Sequence, residues 1–409
     1  MNIILSSGLG PLHFVSSAKS IALLVGHLRF VCGYIPRNIN SLPLKFLALL
    51  RGKKMSAAAR KRMVVDSRVE TCQCVFAEML NQAFMIGDRL IPGLYNRFES
   101  IAWSVYGWQS KRYVGDAEIF HVRSGAGQGG AIKLARKRGM KVVVDHSALY
   151  PSTSELNLRD DYARWGQPIA IAANVGVWKN VIADCKMADL IVVNANHIKE
   201  SFVENGFEED MIRVVHLGVR KDFWGVKQLY KSGVEFRVLF TGGFILLKGA
   251  EYILESLKLL VERGVKVRYD IVGAVGAPRK LIRKYEGLPI VYHGQVPQEN
   301  LKAFLARADC YLFPSLADGC AQSGMEALSA GVPVVATQQS GLPITDGETG
   351  CVVAMKDAAA IADKIEWLVA HYEERERIGR NAARMMRESY SWEKYAENME
   401  RVYKELIAT

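Results

Sequence analysis

The residues best suited to do chemistry lie between Phe313 and Thr337, in the run FPSLADGCAQSGMEALSAGVPVVAT. An apolar strand ends at Phe313, a loop of small residues follows, and a helix opens near Gln322. The first N–H groups of a helix have no intrahelical partner and carry the positive end of its dipole, so such a loop is a ready anion cradle. Backbone groups of Gly319, Cys320, Ala321, Gln322 and Ser323 are its candidates. Asp318 and Glu326 flank it, eight positions apart. A cradle between two carboxylates suits a sugar nucleotide, with the diphosphate on the N–H groups and hydroxyls on the acids. The plain alternative is a solvated helix start.

Three further positions carry possible chemistry. Lys248 follows a strand and a glycine pair, Gly242-Gly243, where a cation would offset charge growing on a leaving diphosphate. Its plain alternative is a lysine capping a loop. His146 ends the apolar strand beginning at Lys141, and the carboxyl ends of strands are where parallel sheets bind ligands; otherwise it is a structural histidine. Gly8 and Gly10 follow the first strand and permit close backbone approach, or merely a tight turn. A rival pattern is Gly125-Ala-Gly127-Gln-Gly-Gly130, with Asp145 twenty residues beyond Gly125. That spacing fits a dinucleotide-binding turn and an NAD-dependent oxidoreductase.

These residues need elements to hold them. In the first half, strands are expected at Asn2–Leu5, Ile119–Val122, Lys141–Val144, Leu190–Val193 and Ile212–Val215. Residues 42–112 are less regular. A stretch without apolar runs at Lys221–Val234 reads as a linker. A second series follows at Phe236–Thr241, Arg268–Val272, Ile290–His293, Cys310–Phe313 and Val332–Ala336. Alternating strands and helices predict an α/β chain with two tandem Rossmann-like domains facing each other across a cleft. The expected boundaries are 1–222 and 223–389.

Composition narrows the classes. The 409 residues suffice for two domains, and half of them are hydrophobic. The formal charge of +11 is uneven: residues 1–65 hold ten Lys or Arg and no acid. Ser41–Lys54 and Arg60–Arg62 mix Leu and Phe with basic residues, a pattern suited to an anionic membrane surface or to an ordinary solvated helix. No nucleic-acid reader motif accompanies this charge, so nucleic acid is not expected as a partner. The seven cysteines form no metal-binding pairs and fit a reducing compartment. Neither a signal peptide nor a spanning segment is expected, nor is a metal or other cofactor.

The stretch from Asp318 to Glu326, followed by Gly331-Val-Pro-Val-Val-Ala336, resembles the donor-site signature of retaining glycosyltransferases of the GT-B fold, specifically family 4. That family has acid-x7-Glu here, with Glu usual where this chain has Asp318. Phe240–Gly249 is similar to its G-R-x4-K-G segment, with Gly243 standing in place of the arginine. Gly341, Asp346-Gly347-x-x-Gly350, Ala188–Val193 and Leu217–Val219 extend the likeness, which is good over about 115–400 and poor before it. The resemblance implies a nucleotide-sugar donor, UDP favoured over GDP, bound to the second domain with Gly8, Gly10 and Gly243 among its contacts. It further implies ribose on Glu326, sugar hydroxyls on Asp318, diphosphate on Lys248, and sugar and diphosphate against His146. It implies a glycan or lipid-linked acceptor on the first domain, and a terminal segment, about 390–409, that crosses back to that domain. Arg123 is a candidate for the missing arginine's work. A cytoplasmic enzyme held peripherally at the membrane's inner face is expected, in surface polysaccharide assembly. An inactive GT-B-like protein and a nucleotide-sugar epimerase are the remaining alternatives.

Overall fold

The computed structural model describes residues 1–10, 13–34, 66, 68–91, 93–169, 171–172, 174–231 and 233–408. The basic segments Ser41–Lys54 and Arg60–Arg62 lie outside the described residues. Two parallel sheets organise the rest. The first joins β1 (Asn2–Ser6), β2 (His27–Cys32), β3 (Val69–Gln73), β4 (Ile119–Arg123), β5 (Lys141–His146), β6 (Leu190–Val193) and β7 (Ile212–Val214) in the order β3-β2-β1-β4-β5-β6-β7. The second joins β8 (Phe236–Thr241), β9 (Val267–Val272), β10 (Ile290–Gly294), β11 (Cys310–Phe313), β12 (Val334–Thr337) and β13 (Cys351–Val353) in the order β10-β9-β8-β11-β12-β13.

Most of these strands are short runs of Val, Ile, Leu and Phe buried on both faces, as a parallel sheet covered by helices requires. Strands β2, β3 and β13 go beyond the sequence expectation, and each has a reason to be hard to read. The apolar run Ile21–Val31 is divided: a helix, Phe14–Ile21, ends inside it and β2 begins at His27. Strand β3 is an edge strand, Val-Glu-Thr-Cys-Gln, whose fit depends on a neighbour. Glu70 sits directly across from Arg29 of β2 and accepts from its Nε at 2.8 Å. Strand β13 has only three residues.

Both sheets reverse their strand order once, between β1 and β4 and between β8 and β11. At such a switch point the loops leaving the carboxyl ends of adjacent strands diverge and leave a crevice. The first sheet presents Gly8–Gly10 after β1 and Ser124 after β4 there. The second presents Gly242–Lys248 after β8 and Pro314–Ser323 after β11.

Two chain crossings link the domains side by side. Val219 donates its N–H to Tyr390 O at 2.8 Å, and Val219 pairs with Ser391. The helix Trp392–Ala408 then lies on the first sheet against the helix Phe14–Ile21, burying Tyr395, Met399 and Tyr403. Tyr403 Oη is 2.6 Å from His121 Nδ1 of β4, so this helix is keyed to the sheet by a buried polar bond as well as by area.

Candidate active site

The site forms where the two switch points face each other. After β8 the chain makes a turn with Gly242 at φ +124°, and a short helical turn, Leu246–Lys248, lifts Lys248 towards the cleft. Gly249, at φ +77°, then starts the helix Ala250–Glu262 with no room for a Cβ, which would sit 2.1 Å from Pro314 O. The loops after β8 and β11 are therefore packed backbone to backbone. That contact brings Lys248 Nζ to 3.3 Å from Asp318 Oδ2, an ion pair without hydrogen-bond alignment. Lys248 also lies over the Phe313 ring, 5.1 Å from its centroid. Both side chains are about one-fifth to one-quarter exposed, so each remains reachable from the cleft.

The helix Gln322–Ala330 starts directly above β11. Its first residues are tied down from below: Tyr311 Oη donates to Ser323 Oγ at 2.9 Å and lies 3.0 Å from Thr241 Oγ1. Glu326, one turn on, is buried and accepts from Gln298 Nε2 at 3.5 Å. The expected cradle needs one correction. The Ala321 N–H donates to Ser340 O at 3.1 Å, and the Gly319 N–H to Asp318 Oδ1 at 2.9 Å. Those two are engaged because the loop folds back on Gln338–Gly341, which left no trace in the local sequence. Gln322, Ser323 and Gly324 occupy the first turn, where N–H groups point outward from the helix end.

Across the cleft, His146 ends β5 with Nδ1 2.8 Å from Ser124 Oγ, while Nε2 is buried without a hydrogen-bond partner of good geometry. Burial pulls its affinity for a proton down to about 4, only partly opposed by Ala148 and Asp145, so the ring is neutral at neutral pH. The next residue touches the second domain: a Cβ on Gly319 would meet Ser147 O at 2.1 Å. Strand end 146–147 and loop 318–319 are thus in direct contact.

Two first-domain residues at this seam escaped the sequence reading. His197 Nε2 lies 2.8 Å from Asp318 O, and burial lowers its pKa. Asn194, immediately after β6, is buried with Oδ1 unpartnered and would lie 3.5 Å from a Cβ on Gly319. Their position at a strand's carboxyl end was the available signal.

Gly8 and Gly10 both take positive φ, and a Cβ on Gly8 would press against Trp103 at 2.4 Å. Arg123 corrects another expectation. Its Nη1 donates to Gly10 O at 2.9 Å and Leu9 O at 3.3 Å, and its guanidinium stacks on Trp103. It fastens the glycine loop within the first domain instead of standing in for an arginine at 243. Gly243 itself has an ordinary φ, and a Cβ there would meet nothing nearer than Ile245 Cγ2 at 4.0 Å.

The Gly125–Gly130 turn is not open to a dinucleotide. Asp184 Oδ2 accepts the Gly127 N–H at 2.8 Å, and Oδ1 accepts from Gln128 Nε2 at 2.6 Å. A Cβ on Gly129 would meet Ser104 O at 2.1 Å. A carboxylate from the chain itself fills the anion position, and the helix Leu94–Ser110 covers the turn. This removes the basis for the oxidoreductase reading. Among the described residues no group of three or more His, Cys, Asp or Glu converges as a metal site.

Two Rossmann-like domains with opposed switch points and a cleft between them define the GT-B fold. Sucrose-phosphate synthase from Thermosynechococcus elongatus superposes with a TM-score of 0.67 at 16% identity, covering 100% of this chain and 99% of that one. HepE from Anabaena, in complex with UDP and glucose, superposes at 0.62 with 13% identity over 99% and 100%. Residues 235–371 match the family described as glycosyl transferases group 1, so the second domain is a domain of that family on a chain of GT-B fold. The chain is 29% identical over 196 residues to an uncharacterized 41.2 kDa protein in the cps region of Klebsiella pneumoniae, covering 46% of this chain and 54% of that protein. It is 25% identical over 304 residues to the MMP alpha-(1->4)-mannosyltransferase of Mycolicibacterium hassiacum, covering 72% of each. The matches thus span from about half to three-quarters of those relatives' lengths.

Proposed function

We propose that this chain is a retaining, metal-independent glycosyltransferase of family 4. It moves a sugar from a nucleotide diphosphate, UDP favoured over GDP, to a hydroxyl of a glycan or lipid-linked acceptor in surface polysaccharide assembly. The observation that carries this reading is the meeting of strand end His146–Ser147 with loop Asp318–Gly319, beside Lys248. A diphosphate on the first turn of the helix Gln322–Ala330 would displace the Lys248–Asp318 pair, taking Lys248 for itself and freeing Asp318 for sugar hydroxyls. Glu326 would receive the ribose. As the bond from C1 to the diphosphate breaks, negative charge grows beside Lys248 and the helix start, where fixed positive potential lowers the barrier. The acceptor oxygen bonds C1 on the face the diphosphate leaves, and its proton passes to a phosphate oxygen. His146, neutral and buried, orients sugar and diphosphate and is not asked to be the base.

Peripheral attachment to an anionic membrane surface at the cytoplasmic face is part of the proposal. Its support is the basic N-terminal composition and the exposed Phe76, Met79, Leu90 and Ile91 on and after the helix Val75–Gly87. No helix among the described residues is long and apolar enough to cross a membrane.

The test is a panel of radiolabelled UDP- and GDP-sugars assayed for hydrolysis and transfer, with Lys248→Ala alongside. Loss of one cation aimed at the leaving group lowers kcat by about 10²- to 10³-fold. Full turnover by the variant would remove Lys248 from the chemistry. No turnover of any donor by the wild type would favour the inactive form, and an isomerised nucleotide sugar would favour an epimerase.

A further inference from the structure

Against one face of the second sheet, starting near its amino end, lies a cavity of about 290 Å³ lined by Arg237, Arg268, Asp270, His293, Phe304 and Arg307. Arg237 is the second residue of β8, and the donor loop leaves that strand's far end after Thr241. At about 3.3 Å per residue Arg237 is roughly 13 Å below the donor loop, and the lining climbs the sheet from there to Leu239 and His293. Its charge is unbalanced. Arg237 and Arg268 are direct partners on adjacent parallel strands, so two guanidinium stems leave the same face about 4.8 Å apart, an arrangement that repels.

One buried carboxylate answers them. Asp270 Oδ1 accepts from Arg268 Nη2 at 3.0 Å and is 2.7 Å from His293 Nε2. Three guanidinium groups against one carboxylate leave a balance of +2 before His293 is counted. Arg237 exchanges backbone hydrogen bonds with Asp309, its N–H to Asp309 Oδ2 at 2.9 Å and its carbonyl from the Asp309 N–H at 2.8 Å, while its guanidinium has no ion pair or hydrogen bond among the described residues. Arg307 is exposed, donates Nε to Ala303 O, lies over the Phe304 ring at 5.9 Å, and has no ion pair among the described residues, so only the Arg237 guanidinium is both partly buried and unpaired. A half-buried guanidinium without a counter-ion costs free energy unless an anion arrives. A wider groove of about 580 Å³ shares Arg237 and Arg307 with the cavity and adds Lys227 and Lys231, with Glu235 and Asp309 as its acids. The Lys227 ammonium is fixed on Ala308 O at 2.6 Å.

We propose that this cavity is a second anion site, separate from the donor cleft, that takes a phosphoryl group between Arg237 and Arg307 with Arg268 behind. Planar guanidinium forks match phosphoryl oxygens two at a time, which lysines cannot do, and the wall here is arginine. Asp270 pre-orients Arg268 and His293, so the site is built before the ligand arrives. The phosphoryl group belongs either to a small soluble phosphate or to a lipid headgroup.

The experiment titrates inorganic pyrophosphate into the full chain by calorimetry, comparing wild type, Lys248→Ala and the double variant Arg237→Ser/Arg307→Ser. Near-UV circular dichroism confirms that each is folded. A second arm sediments the same proteins with phosphatidylglycerol-containing vesicles and with phosphatidylcholine vesicles. The expected result is pyrophosphate binding that survives in Lys248→Ala and weakens about tenfold or more in the arginine variant. Loss confined to the vesicle arm supports the site and puts the phosphoryl group on a lipid. Pyrophosphate binding abolished by Lys248→Ala and untouched by the arginine variant, with sedimentation equally untouched, overturns the proposal. Because the donor reading is tested by turnover of Lys248→Ala, the two fail separately.

Discussion

At the residue scale, the chain departs from its resemblance most sharply at Gly243, and the structure turns that departure into an experiment. The backbone there is one any residue adopts, and the space beyond its Cα is open. Its neighbour Gly242 lies within reach of Lys248, since a Cβ on Gly242 would stand 3.6 Å from Lys248 Nζ. An arginine side chain starting at 243, one residue on and in open space, is long enough to swing into the corner of Lys248 and Asp318. Gly243→Arg is expected to tighten UDP binding by about 3- to 30-fold, the worth of one or two charge-assisted hydrogen bonds, with stability unchanged or slightly improved. Calorimetric titration of UDP reads this directly. Unchanged affinity in a folded variant would mean the diphosphate does not pass this corner. The nearness of Lys248 and Asp318 was foreshadowed by their loops, which follow neighbouring strands β8 and β11. The destination of the Ala321 N–H was not, because Ser340 reaches it through a loop fold that no local pattern encodes.

At the scale of elements, the glycine turn after β4 shows how a motif misleads when its surroundings are unread. Gly125–Gly130 has the spacing of a phosphate turn, yet its ligand is Asp184, 57 residues downstream of Gly127 on the helix Gly176–Lys186. Nothing in the turn's own sequence announces that partner. Removing it leaves the buried Gly127 N–H and the half-buried Gln128 amide without acceptors. Asp184→Ala is expected to cost about 2–4 kcal/mol by urea denaturation, at the level of a buried carboxylate holding several donors. Burial pushes Asp184 up to about 7, above its value in an unfolded chain, against the lowering effect of its donors. A raised pKa means the contribution is complete below the unfolded value near 4 and declines as pH rises through 7. The deficit of Asp184→Ala is therefore largest at about pH 4 and below, and smallest at pH 8. A deficit that grew with pH would show that the turn holds Asp184 in its ionised form, whereas NADH stabilising the wild type in a thermal-shift assay would restore the turn as a binding element. Strands β2 and β3 were obscured for a related reason: their polar residues are stabilised by each other, through Arg29 and Glu70.

At the scale of the whole molecule, the tandem arrangement was legible from two series of Val- and Ile-rich strands separated by a stretch without them. The way the domains meet was not, since it rests on contacts between residues more than eighty positions apart. Asn157 Nδ2 donates to Leu316 O at 2.9 Å, and Arg164 and Trp165 both reach Glu251. Lys356 pairs with Asp161 at 3.1 Å. These bonds draw the helix Pro151–Arg164 onto the second domain beside the cleft, opposite the paired crossings at Val219 and Ser391. Gly319 is packed closely against Ser147 at the seam. Because Gly319 is outside the positive-φ set, alanine is barred there only by the facing backbone, which its Cβ would approach to 2.1 Å. Gly319→Ala must then push strand end 146–147 away from loop 318–319, leaving each domain's own core untouched. A displacement near 1 Å between reacting groups costs up to about 10²-fold in rate, so kcat/KM is expected to fall by about 10- to 100-fold. The denaturation midpoint should stay within about 0.5 kcal/mol of wild type, as for a change outside the core. Small-angle scattering in the presence of UDP should give a larger radius of gyration than wild type. Full kcat/KM in Gly319→Ala would show that contact between these loops is no part of the active arrangement, and that the reacting groups meet in another closure.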